Sequence, residues 1–252
     1  MKDNWKLWIA VIACAAVATF CSRRVYEAFY ARPPAWVKLD DRTGPAIRQD
    51  SQLDTAWKKF GELLGSARRE SEERQLPLGD VSLLALENNS TDAVFIVTQS
   101  IVNQGFNPLK NVQASMGGDE QRFVGFYATD GGPIPFTIVR VPGRTRNPPV
   151  TLHLESAIAP GGTQLVVRVE RRHAPVNVGK DGRMQVGLGR FPRMPNAVYV
   201  RAVRLPSGSV VVRSVPEKTA TVLDGPAPLV SWVGTAANAN TPMSVIFTSP
   251  KQ

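Results

Sequence analysis

The chain has 252 residues, a formal net charge of +9, 43% hydrophobic and 20% charged residues, and 20 each of glycine and proline. That length and apolar content suit one or two folded domains of many short elements, and exclude a disordered tail. The cysteines, Cys14 and Cys21, both fall in or beside one N-terminal segment, so the rest of the chain has no disulfide framework, thiolate metal site or cysteine nucleophile.

Leu7 to Phe20 form an apolar run, preceded by Lys2 and Lys6 and followed by Arg23 and Arg24. With its flanks the run reaches the short limit of a membrane span, roughly 17 residues. As an anchor it rests on Trp5, Trp8, Ile9, Ile12, Val17 and Phe20, the tryptophans lying at one interface and the arginine pair at the other. The rival reading is a cleaved signal peptide, with Ala16-Val17-Ala18 as a small-x-small site. Val25 to Ala31 continues the helical pattern until Pro33-Pro34, which favours retention. Residues 1–32 are therefore expected to be a transmembrane anchor with a juxtamembrane helix. A short basic tail before the span points to a body on the exported, periplasmic or extracytoplasmic side, although Arg23, Arg24, Arg32 and Lys38 count the other way.

Residues 33–50, with Pro33-Pro34, Asp40-Asp41 and Gly44-Pro45, read as an exposed, irregular linker. An amphipathic helix follows over 51–76. Leu53, Trp57, Phe60, Leu64 and Ala67 recur at spacings of three and four on one stripe, and Lys58, Lys59, Arg68, Arg69, Glu70, Glu72 and Glu73 take the other face. Ser51 with Asp54 suits the capped start and Pro77-Leu78-Gly79 the end. The stripe packs on the protein's own strands or, through Trp57, Phe60 and Leu64, on another subunit.

From Val81 onward the pattern is of strands: 81–87, 93–102, 112–116, 121–128, 136–141, 150–155, 163–170, 184–188, 197–205, 209–215, 219–223, 229–233 and 244–248. Asn88 to Asp92 marks a hairpin turn, and Gly117-Gly118-Asp119 marks a second hairpin candidate. The fold class is mainly β: an N-terminal single transmembrane helix, one amphipathic helix, then an antiparallel β-sandwich body. Thirteen short strands exceed one small sandwich, so the body is expected to divide near Pro175 into a first β-sandwich domain, 77–175, and a second, basic β domain, 176–252, with a single larger sandwich as the alternative.

Residues 150–252 carry twelve Lys or Arg against five Asp or Glu. Such a surface suits an acidic protein or anionic lipid. Nucleic acid is not expected, because the basic residues are not interleaved with stacking aromatics and no recognition motif is present.

Catalytic signatures are thin. His153 and His173 are the chain's two histidines, with no nucleophile elbow and no metal-ligand spacing around them. His153 stands on the strand parity opposite Leu152 and Leu154, facing solvent. An enzyme here requires a pocket joining one histidine to a carboxylate and a hydroxyl. Gly187-Leu188-Gly189-Arg190 resembles a phosphate loop, but Phe-Pro-Arg-Met-Pro follows where a helix must begin, so a strand bend is expected. No catalytic residue, metal ligand or cofactor is assigned. Arg190, Phe191, Arg193 and Met194 combine arginine, aromatic and methionine as interfaces do, and with the helix stripe complete the partner-contact candidates. The resulting expectation is a non-catalytic, membrane-anchored accessory or scaffolding subunit whose partners are other membrane-protein subunits. The alternatives are an envelope sensor or adaptor and a secreted protein with a cleaved signal.

Overall fold

The computed structural model describes residues 37–88, 92–117, 120–140, 148–190, 197–234 and 241–249. A first strand, β1 (Lys38–Arg42), leads through a 3-10 turn at Ile47–Gln49 into helix α1 (Ser51–Arg74). Residues 33–50 are thus not wholly irregular. β1 has an exposed polar pattern with no apolar alternation, which is why its sequence resembles a linker. The helix cap is Asp50 rather than Ser51: its carboxylate accepts from the backbone N–H of Gln52 and Leu53 at 3.0 and 3.1 Å. At the other end Gln75 turns left-handed and Leu76 N–H reaches back to the Ser71 carbonyl.

The chain continues as β2 (Leu78–Leu86), β3 (Asp92–Val102), β4 (Leu109–Ser115), β5 (Phe123–Tyr127), β6 (Pro133–Ile134), β7 (Phe136–Arg140), β8 (Pro149–Ile158) and β9 (Thr163–His173). Then come β10 (Val176–Val178), β11 (Met184–Arg190), β12 (Val198–Arg204), β13 (Val210–Val215), β14 (Ala220–Leu223), β15 (Leu229–Gly234) and β16 (Pro242–Thr248). The protein is mainly β, and nearly all the pairings are antiparallel, as expected of a sandwich body.

These strands make three sheets among the described residues. The largest has eight strands in the order β14-β15-β12-β2-β3-β9-β5-β6, and two four-stranded sheets run β1-β7-β8-β4 and β10-β11-β16-β13. The large sheet crosses residue 175, because β12 lies parallel to β2 with Leu83 opposite Ala202 and Leu84 opposite Val203. Strands from both expected β domains therefore share one sheet. The hairpin over Asn88–Asp92 forms as expected between β2 and β3. The one around Gly117 does not: β4 pairs with β8, while β5 pairs with β9 and β6, so the turn passes from one sheet to another.

Strand parity divides the core. Val81, Leu83 and Ala85 of β2 face α1, joining Leu53, Phe60, Leu64 and Ala67 in one cluster. Leu84 and Leu86 face the opposite way, against Trp232, Val245 and Phe247 beneath the β10–β13 sheet. The β1–β4 sheet covers the other half of that face over Phe126, Ile134, Phe136, Leu152 and Val166. Full burial of a side chain such as Phe60 is worth about 1.5–3 kcal/mol. The Tyr127 hydroxyl donates to the Pro45 carbonyl at 2.9 Å, and burial pushes its pKa up to about 12. A side chain on Gly44 would stand 2.7 Å from that hydroxyl, so glycine permits the entry segment to lie against β5.

Candidate functional site

The structure brings few of the expected contact residues together. Phe60 and Leu64 are buried under the large sheet, and Trp57 is partly buried, its ring 5.8 Å from Phe60 and 5.6 Å from Tyr127. This stripe is the helix's own packing face. Arg190 is exposed at the end of β11. Phe191, Arg193 and Met194 lie outside the described residues, as do Trp5, Trp8, Ile9, Ile12, Val17 and Phe20. No helix among the described residues is long and apolar enough to cross a membrane. Gly187 and Gly189 bracket a register shift between β11 and β16, a bulge rather than a phosphate loop.

The C-terminal arginines do not form one solvated face. Arg171 bonds Asp50 and Glu87, Arg183 pairs with Asp181, and Arg213 with Glu217. Arg172 lies with its guanidinium carbon 3.8 Å from the centroid of Phe95, and Arg201 donates to the Leu188 carbonyl at 2.6 Å. The register aligns Arg201, Ser82, Val97 and Arg168 across β12, β2, β3 and β9. That row crosses the middle of the large sheet, on the face that carries the two small sheets.

His153 is not free in solvent. Its Nε2 lies 2.7 Å from the Thr137 hydroxyl and its Nδ1 3.0 Å from Asn111 Oδ1, while the same hydroxyl bonds Asp41. β1, β7, β8 and β4 each supply one member, and an open cavity of about 560 Å³ borders Asp41, Thr137 and His153. A histidine, a carboxylate and a hydroxyl therefore do meet, but in an order unsuited to nucleophilic catalysis. An ionised carboxylate only accepts, so Thr137 gives its proton to Asp41 and Nε2 donates to the threonine oxygen. The imidazole is thus not placed to take the hydroxyl proton, the step a serine-type triad requires. His173, by contrast, is exposed beside Asp92 and Arg122. Among the described residues no three His, Cys, Asp or Glu side chains gather to hold a metal ion.

One feature that sequence patterning missed is Phe106, 98% exposed in the loop between β3 and β4. The loop is braced from within. Asn103, 3% exposed, donates from Nδ2 to the carbonyls of Asn107 and Ile158 at 2.9 and 2.8 Å and accepts from Gly105 N–H at 3.0 Å. Its backbone also exchanges hydrogen bonds with Gly161 and Gly162. Gln104-Gly105 beside Asn107-Pro108 reads as turn chemistry, and nothing in that pattern separates an exposed phenylalanine from a buried one.

No protein-family description matches the sequence, and no curated protein matches it. Among solved structures the chain is similar to the M1 zinc metallopeptidase of Deinococcus radiodurans, at 13% identity and a TM-score of 0.38. A mutant of that enzyme gives 12% and 0.39, and the mutant bound to a Tyr-Ser-Ala substrate gives 13% and 0.40. Each match covers 69% of this chain and 42% of the other, so the chain spans less than half of those proteins. Likeness at this level assigns no activity.

Proposed function

We propose that this chain is a non-catalytic, membrane-anchored accessory subunit that stabilises a larger membrane complex, with Phe106 as its contact to a partner subunit. The observation that carries the reading is an aromatic ring held 98% exposed by a braced loop. Fixing the loop in advance removes part of the ordering cost of association, and aromatic anchors contribute strongly to interfaces.

The position of the loop agrees with a tether at the N-terminus. β1 enters the body with Lys38 opposite Arg140, at the end of its sheet where Pro149 meets Ser115. The Phe106 loop leaves from the opposite end, where Leu109 meets Ile158. In a chain anchored through residues 1–32, Phe106 therefore points away from the bilayer toward a partner's extramembrane part. The partner side needs an apolar pocket for one ring.

The test is purification of the full-length protein from its own membranes in mild detergent, with mass spectrometry of co-purifying chains and of the mature N-terminus. The expected result is an intact anchor, partners in fixed ratio, and their loss from a Phe106→Asp variant. A chain starting near Thr19 and recovered alone from the soluble fraction would overturn the reading in favour of a secreted protein.

A further inference from the structure

A cavity of about 170 Å³ opens on the large sheet's inner face, lined by Asp80 and Ser82 of β2, Phe95 of β3, Arg172 of β9, and Tyr199 and Arg201 of β12. Leu188 of β11 closes its rim. The Arg172 side chain is 37% exposed at this wall, and among the described residues it has no carboxylate at hydrogen-bond distance. Its contact with Glu170 is 3.7 Å long, it stacks on Phe95 on one side, and its Nε is buried without a hydrogen-bond partner among the described residues. Arg168, on the row of Ser82 and Arg201, likewise has a buried Nε without a hydrogen-bond partner among the described residues.

We propose that this cavity binds a small oxyanion, a phosphate or carboxylate group, between the guanidiniums of Arg172 and Arg201. The guanidinium fork matches the paired oxygens of such groups, and the polar residues Ser82 and Tyr199 also line the wall. The charge balance points the same way. The cavity is lined by two arginines, Arg172 and Arg201, and one carboxylate, Asp80, leaving one positive charge over. Burial works against the charged forms of Arg172 and Arg201, and raises the Asp80 carboxyl above its usual range. An entering oxyanion relieves the first two and competes with the third. Asp80 is therefore a gate on affinity. The size of the cavity limits the ligand to a free ion or the terminal group of a slender molecule.

The inference is independent of the Phe106 contact. Its test uses the full-length protein in detergent, titrated with inorganic phosphate or with acetate against sodium chloride at matched ionic strength. Binding is read by calorimetry and thermal melting. One probe is expected to bind above the chloride control, phosphate identifying a tetrahedral ligand and acetate a carboxylate. Arg172→Met should weaken it by about tenfold, the loss expected for charged hydrogen bonds, and Asp80→Asn should tighten it several-fold. The tightening guards against a variant that merely misfolds, since damage cannot raise affinity. No binding of either probe above chloride overturns the proposal, and so does unchanged affinity in both variants.

Discussion

Asp50 and Arg171, 121 positions apart, join the start of α1 to β9: Asp50 Oδ1 caps the helix while Oδ2 accepts from the arginine Nη2. One side chain thus sets both where the helix begins and where it docks. Asp50→Ala is expected to cost about 1–2 kcal/mol, chiefly the lost cap. Asp50→Asn keeps an acceptor for the cap and gives up only a half-exposed ion pair, so it should lose under half as much. Urea midpoints at unchanged slope measure both. Equal losses would make the charge, rather than the cap, the principal contribution.

The braced loop separates stability from contact. Phe106→Ser should leave the melting temperature unchanged because the ring is 98% exposed and nothing among the described residues covers it. Asn103→Ala strands two backbone carbonyls and should cost about 1–3 kcal/mol. Reversed results would place Phe106 in the fold rather than at an interface.

Acid should act mainly through three carboxylates. Hydrogen bonds from Arg140 hold Asp40 and Glu120 below their usual range, and the Leu53 N–H does the same for Asp50. The unfolded chain then takes up these protons first, so their contribution is complete above about pH 4 and is lost as pH falls through the lower, folded values. Asp80 and Glu170, raised by burial, work oppositely: they oppose folding increasingly as pH rises from about 4 through their folded values. Arg140→Met should therefore be less stable than the natural protein at pH 6, with the gap closing toward pH 3. A gap that stays constant across that range would remove the Arg140 cluster from the acid response.

Thr137 and His153 offer a test of the hydrogen-bond chain. Thr137→Val removes the hydroxyl that Asp41 and His153 share and should cost about 1 kcal/mol. In a double-mutant cycle with His153→Phe the two losses should not add, since each substitution breaks the same bond. Additive losses would mean that the two side chains are not coupled in solution.

Much of this architecture is legible in the sequence where the information is local. The α1 stripe is visible because Leu53, Phe60, Leu64 and Ala67 repeat with the helical period and meet one sheet. Most strand positions from β2 to β16 follow from alternation and turn residues; the short edge strands β1 and β10 escape because little of them is buried, and β6 because it is two residues long. Alternation says which face a residue takes, never which strand lies beside it. Hence the β2–β12 pairing, and the separation of β4 from β5 into different sheets, are hidden until the chain is folded. The same holds for the sites: Asp41 and Thr137 are 96 positions apart, and Arg172 reaches Arg201's cavity only through two intervening strands. Opposite parity to Leu152 and Leu154 correctly takes His153 off the core face, yet gives no hint of Thr137 beside it.

The parallel seam between β2 and β12 also bears on how the molecule is made. A nascent chain exposes the β2 edge, rich in leucine, for as long as it takes to add the more than one hundred residues that precede β12. Until then the half-built sheet offers unpaired backbone to any neighbouring chain, the condition under which strands misassociate. Closing so distant a pair is also slow, because its loop entropy must be met before the contact forms. Chains stalled or cut before Val198 should accumulate as aggregates, and production of the protein should depend on factors that shield strand edges during synthesis.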